Sequence, residues 1–132
     1  MSTTDETLLI VANWLLRRPL DASTREILVD YAAEVERTEP GTLMYRLHIG
    51  NLDPGVYSLP PVSDSVITFI ELYEDQHAFE EHTKPGSAFS TMVDDHSDLF
   101  VIASPFGDNA KQQNPINTAQ FYSQVAGYIR GQ

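Results

Sequence analysis

Apolar and polar positions alternate along this chain in a way that marks out its elements. Residues 1–7 predict a loose start, and Leu8 to Leu16 is then apolar throughout except at Asn13. The turn signal Arg18-Pro19-Leu20-Asp21 follows, so the run predicts a buried first strand. Ser23-Thr24-Arg25-Glu26 has capping-box spacing, in which a hydroxyl and a carboxylate each satisfy an orphan N–H, and predicts a helix start. Ile27, Leu28, Tyr31, Ala32 and Val35 then form one helical stripe, stopped by Glu39-Pro40-Gly41.

Thr42 to Ile49 predicts a second strand, with Leu43, Tyr45, Leu47 and Ile49 alternating against Met44, Arg46 and His48. Gly50 to Ser65 holds Pro54-Gly55 and Pro60-Pro61 and reads as a long loop. Val66 to Tyr73 predicts a third strand. Asp75 can cap a helix bearing Ala78, Phe79 and His82, which Pro85-Gly86 interrupts. Ser87 can cap a second segment with Phe89, Met92, Val93 and His96. Phe100 to Phe106 predicts a fourth strand. A polar stretch from Gly107 to Pro115 leads to a terminal helix over 118–130, where Phe121, Tyr122, Val125, Tyr128 and Ile129 fall at helical spacing. That helix docks on its own domain or on a second subunit.

The order β-α-β-β-α-β is the split βαβ plan, so the expectation is an α+β, ferredoxin-like fold with one antiparallel sheet and helices on one face. The other face is too apolar to leave in water. Two such sheets pressed together, a dimeric α/β barrel, would cover it. Residues 1–106 are then one domain, with 107–132 its linker and terminal helix.

Composition narrows the function. At 132 residues the chain suits a single domain. It has no cysteine, which excludes disulfides, thiolate catalysis and cysteine metal sites. A net charge of −11 repels phosphate backbones, so nucleic acid is not expected as a partner. The acidic start is unlike a targeting peptide, and no apolar run is long enough to span a bilayer; the expectation is a cytoplasmic protein without membrane contact. The four histidines show no metal-ligand spacing, and there is no phosphate loop, nucleophile elbow or dinucleotide fingerprint.

Leu9-Ile10-Val11-Ala12-Asn13, then Glu39-Pro40-Gly41-Thr42-Leu43-Met44-Tyr45, and Glu71-Leu72-Tyr73-Glu74-Asp75 through Ala78-Phe79 to His82 together resemble the antibiotic biosynthesis monooxygenases, small dimeric α/β barrels. The resemblance covers residues 8–106. It implies a cavity between sheet and helices and, as in some members, oxidation of anthrone-like or hydroquinone-like aromatics by dioxygen with no cofactor. Relatives degrade haem or isomerise small phosphorylated ketones, so the fold leaves the chemistry open. Asn13 stands where several members carry a functional asparagine, and Tyr73 where many carry a strand-end aromatic, often tryptophan. Tyr73 matches the isomerase-like branch better, and Phe69 replaces a polar residue of some oxygenases. His96 lies about one turn beyond the haem ligand of the haem degraders, so haem is not carried over.

The residues themselves admit both structural and chemical roles. A buried Asn13 needs hydrogen-bond partners, or it donates to a substrate oxygen gaining charge. Tyr73 shares a strand face with Ile67, Phe69 and Glu71. Glu71 on that face must be paired, for instance with Arg46, or act as a base of raised pKa. His82 faces the sheet with Ala78 and Phe79, whereas His77 reads as surface. If Asn13 looks into a cavity under the helices, Trp14 looks into the dimer interface. The catalytic candidates are thus Asn13, Tyr73, His82 and His48, with His82 or His48 as base; Phe69, Glu71, Phe79, Phe89 and His96 are the substrate-binding candidates. The expected function is a homodimeric, cofactor-free oxygenase of secondary metabolism taking a small electron-rich aromatic and dioxygen. The alternatives are a cofactor-free isomerase, decarboxylase or cyclase in the same pocket, and a non-catalytic dimeric binding domain.

Overall fold

The computed structural model describes residues 6–101 and 117–131. Strand β1 (Leu8–Leu15) leads into helix α1 (Ala22–Thr38), and strands β2 (Thr42–Ile49) and β3 (Val66–Tyr73) follow. Helices α2 (Gln76–Thr83) and α3 (Ala88–Asp95), a short 3-10 turn at Ser97–Leu99, and strand β4 (Thr118–Tyr122) complete the order. All strand pairs are antiparallel and the sheet runs β2-β3-β1-β4. This is the α+β, ferredoxin-like arrangement.

Burial decides which side of the sheet meets the helices. Ile10, Ala12, Trp14 and Leu16 of β1 are buried, as are Ile67, Phe69, Glu71 and Tyr73 of β3. Trp14 sits among Phe69, Phe89 and Phe100, with ring centroids 5.2–5.7 Å away. Leu28, Tyr31 and Val35 from α1 and Phe89 and Met92 from α3 close this core. Trp14 therefore belongs to the helix-side core and not to the opposite face, which is where the placement of Asn13 under the helices would have put it. Leu9, Val11 and Leu15 are as apolar as Ile10 and Ala12, so hydropathy alone could not choose between the two faces.

Helix starts follow side-chain capping. Asp21, not Ser23, caps α1: its carboxylate accepts the Thr24 N–H at 2.7 Å. Asp75 and Ser87 cap α2 and α3 as expected, accepting from the Ala78 and Ser90 N–H groups. Gly50 is demanded by the return of the long loop, because a Cβ there would stand 2.3 Å from the Ser63 carbonyl oxygen.

The fourth strand departs from expectation. Phe100 forms one antiparallel bridge with Leu16, and most of the strand expected over 100–106 lies outside the described residues. The edge of β1 is continued instead by β4, which pairs Thr118 with Asn13 and Tyr122 with Leu9. The terminal helix expected over 118–130 is thus replaced by a strand and an irregular tail. Asn117 joins the two pieces of this edge. Its carboxamide oxygen accepts the Leu15 N–H at 2.9 Å, and its amide donates to the Val101 carbonyl at 2.7 Å. A side chain stands in for a backbone rung.

Candidate active site

The site grows from the turn between α1 and β2. Glu39 caps the C-terminus of α1; its N–H donates to the Val35 carbonyl, and its own carbonyl accepts the Thr42 N–H, each at 3.0 Å. Gly41 lets α2 come close, since a Cβ there would lie 2.8 Å from the Ala78 Cβ, and its carbonyl accepts the Glu74 N–H. The turn and the start of α2 are thereby held together, which brings His82 of α2 over Glu39. His82 Nδ1 lies 2.7 Å from Glu39 Oε1, and the Thr42 hydroxyl donates to the same oxygen at 2.9 Å. The His82 side chain is 2 % exposed and that of Glu39 9 %. Glu39 Oε2 is buried and has no hydrogen-bond partner among the described residues.

Around this pair lies a shell of aromatic rings and hydroxyls. Tyr45, Tyr73 and Phe89 surround the His82 ring at centroid distances of 5.1–5.4 Å. The Tyr31 and Tyr45 hydroxyls meet at 2.5 Å. The Tyr73 hydroxyl donates to Glu71 Oε1 at 2.6 Å. Burial raises the pKa of all three tyrosines, and the Glu71 charge raises each further, so their hydroxyls stay protonated. Burial also lifts the Glu71 carboxyl above its usual range, against the lowering effects of the Tyr73 hydroxyl and His82. Arg46, the partner considered for Glu71, projects from the other sheet face, in register with Ile70.

A groove of about 720 Å³ opens between α1 and the α2–α3 pair. Tyr31, Glu39, Thr42, Ala78 and Met92 are among its lining residues, and His77 and His96 stand along it. His82 lies behind Glu39, outside the lining.

The expected residues therefore divide. Tyr73, His82, Phe69, Glu71 and Phe89 are all buried under the helices, Phe69 and Phe89 in one apolar cluster and Tyr73 in a second, with the His82 ring against both Phe89 and Tyr73. Phe79 flanks it, packing edge-on against Tyr73. His96 borders the groove above. Asn13 and His48 lie on the opposite sheet face, in one cross-strand row with Thr68 and Thr118. There the Thr68 hydroxyl donates to Asn13 Oδ1 at 2.6 Å, and Asn13 Nδ2 donates to the Thr118 hydroxyl at 3.0 Å. Sequence reasoning overlooked Glu39, Tyr31 and Tyr45. In the sequence Glu39 reads as a helix stop and as the start of the family-like segment Glu39 to Tyr45, and a carboxylate beside an i+3 threonine at a helix end is the signal that points to its chemistry. Among the described residues no group of three or more His, Asp or Glu converges as a metal site, and no helix is long and apolar enough to cross a membrane.

No protein-family model matches the sequence, and no curated protein matches it either. Solved structures do resemble it. A Caulobacter crescentus protein provisionally described as an antibiotic biosynthesis monooxygenase superposes with a TM-score of 0.64 at 18% identity, covering 93% of each chain. SnoaB, a cofactor-independent oxygenase from Streptomyces nogalater, gives 0.60 at 15% identity over 92% of this chain and 96% of its own. The Mycobacterium tuberculosis protein Rv0793 gives 0.59 at 13% identity, over 92% and 97%. The chain has the fold of the antibiotic biosynthesis monooxygenases.

Proposed function

We propose that this protein is a cofactor-independent oxygenase that oxidises an electron-rich aromatic of polyketide type, an anthrone, hydroquinone or polyphenol, with dioxygen. One observation carries the reading: the His82–Glu39 pair, 2.7 Å apart and almost wholly buried, lies under a groove large enough for a tricyclic aromatic. The likeness to SnoaB supports it.

Triplet dioxygen reacts slowly with closed-shell molecules, so the protein's task is to make a carbanion. The buried pair accepts a proton from the activated CH₂, and tyrosine hydroxyls hold the resulting enolate oxygen. The carbanion passes one electron to dioxygen, and the radical and superoxide combine into a hydroperoxide. Loss of water then leaves a carbonyl, so one dioxygen becomes one carbonyl oxygen and one water. Aromatic walls exclude solvent from the enolate. Of the residues expected from sequence, this reading uses His82 and Tyr73 in the chemistry and Phe69, Glu71, Phe79, Phe89 and His96 around it. Asn13 and His48 fall outside it. Metal-stripped protein is expected to consume oxygen with anthrone; no uptake across an anthrone, hydroquinone and polyphenol panel rejects the reading.

A second reading drops oxygen and ends in isomerisation, decarboxylation or cyclisation. It is favoured by the commitment of the Tyr73 hydroxyl to Glu71 and by the apolar, buried Phe69. Turnover that persists under strict anaerobiosis selects it.

The same proposal includes a cytoplasmic homodimer. The face opposite the helices carries Leu9, Val11, Leu15, Ile70 and Leu72, and the tail leaves Val125, Tyr128 and Ile129 largely exposed. A second copy would cover both.

A further inference from the structure

We infer that the proton acceptor of this site is Glu39, through Oε2, and that His82 and Thr42 position it. The inference rests on the function proposed above and names the atom that begins its chemistry.

Glu39 is fixed from several directions. Its backbone is bonded to Val35 and Thr42, and its Oε1 is held by the Thr42 hydroxyl and His82 Nδ1. All of that order leaves Oε2 with no hydrogen-bond partner among the described residues. Leaving a buried acceptor unsatisfied is costly, and such atoms in native proteins call for a reason. Glu39 is among the residues lining the groove, whereas His82 is enclosed by Tyr45, Tyr73 and Phe89 and is not. A molecule entering the groove meets Glu39 before it can meet His82. A carboxylate with one oxygen anchored and the other buried but unpartnered is oriented for proton transfer, and the missing partner is the acidic C–H or O–H of a ligand.

Tyr31 supplies the complementary group. It lines the same groove, and its hydroxyl is backed by that of Tyr45. As the substrate C–H bond breaks, the proton goes to Glu39 Oε2 and the electron pair delocalises through the aromatic system onto the conjugated carbonyl oxygen. Negative charge leaves the carboxylate as it grows on the substrate, where a tyrosine O–H can meet it. The class of substrate is thus an aromatic ketone or phenol whose acidic position is conjugated with the oxygen that receives the charge, as the methylene of anthrone is with the carbonyl across its central ring. His82, hydrogen-bonded at Oε1, holds the carboxylate in place through the transfer.

The step can be read without oxygen. Anthrone held anaerobically in D₂O loses its methylene protons at the rate at which they are abstracted, followed by ¹H NMR. Wild-type protein is expected to accelerate this washout. Glu39→Gln should lower it by about 100-fold or more, the scale of general-base catalysis, with anthrone affinity changed less than about threefold. Formate should restore exchange to Glu39→Ala and not to His82→Asn, a readout that a merely structural role for Glu39 would not produce. Glu39→Asp covers a Gln variant that fails to fold: it should keep exchange measurable, slower than wild type. Near-wild-type exchange in Glu39→Gln, or rescue of His82→Asn by imidazole with Glu39→Gln unimpaired, overturns the assignment. Exchange without oxygen uptake keeps Glu39 and rejects the oxygenase reading. Wild-type protein that does neither rejects both.

Discussion

Glu71 and Asn13 are both polar residues on otherwise apolar strands, yet they sit in opposite situations. Glu71 faces the core with the Tyr73 hydroxyl as its hydrogen-bond donor, and burial raises its pKa. Folding therefore favours its protonated form: the associated stability is complete below the ordinary carboxylate range and is lost as pH rises through the raised folded pKa. Glu71→Gln keeps an acceptor for Tyr73 without the charge. Its melting temperature should exceed wild type at pH 7–8, and the gap should close near pH 4; a constant gap across that range refutes the account. Asn13 is different, because both ends of its amide are engaged by Thr68 and Thr118. Asn13→Ala should cost about 1–2 kcal/mol in urea unfolding, with turnover within about twofold of wild type. A selective collapse of turnover would move the chemistry to the other side of the sheet.

At the scale of elements, α2 depends on its cap because it is only eight residues long and carries His82. Asp75→Ala should cost about 1 kcal/mol and loosen His82, visible as faster amide exchange in the first turn of α2. This cap was legible in the sequence, as were β1, α1, β2, β3 and the break between α2 and α3, because each had both a hydropathy period and a stop or start signal. The terminal segment shows why such signals fail. Phe121, Tyr122, Val125, Tyr128 and Ile129 have helical spacing, but β1 has an open edge, and pairing it decides the outcome. The buried region under the helices was partly legible, since Phe69, Glu71 and Tyr73 share parity and His82 sits on the inner face of its helix. What joins them to the groove was not, because the contact between Glu39 and His82 depends on how closely α2 approaches Gly41.

At the scale of the whole molecule, the apolar sheet face and the tail bear on one question. Light scattering should give a dimer, and the melting temperature should rise with protein concentration. The tail beyond Tyr122 exposes Val125 almost completely, at 97%, so ending the chain at Tyr122 should weaken the dimer while barely affecting an isolated subunit. Concentration-independent melting in both forms would refute the dimer.

The amide of Asn117 has a consequence for how this protein can change. The strip of edge beside β1 is assembled from Phe100 and Val101 on one side and Asn117 to Tyr122 on the other, and the spliced ends meet at Leu15. Register is secured on each side of the splice independently. One carboxamide therefore bridges both pieces of the edge, and losing it would leave the Leu15 N–H and the Val101 carbonyl without that bond at the same moment. A change of a single side chain could in this way open a seam in a sheet whose backbone rungs are untouched.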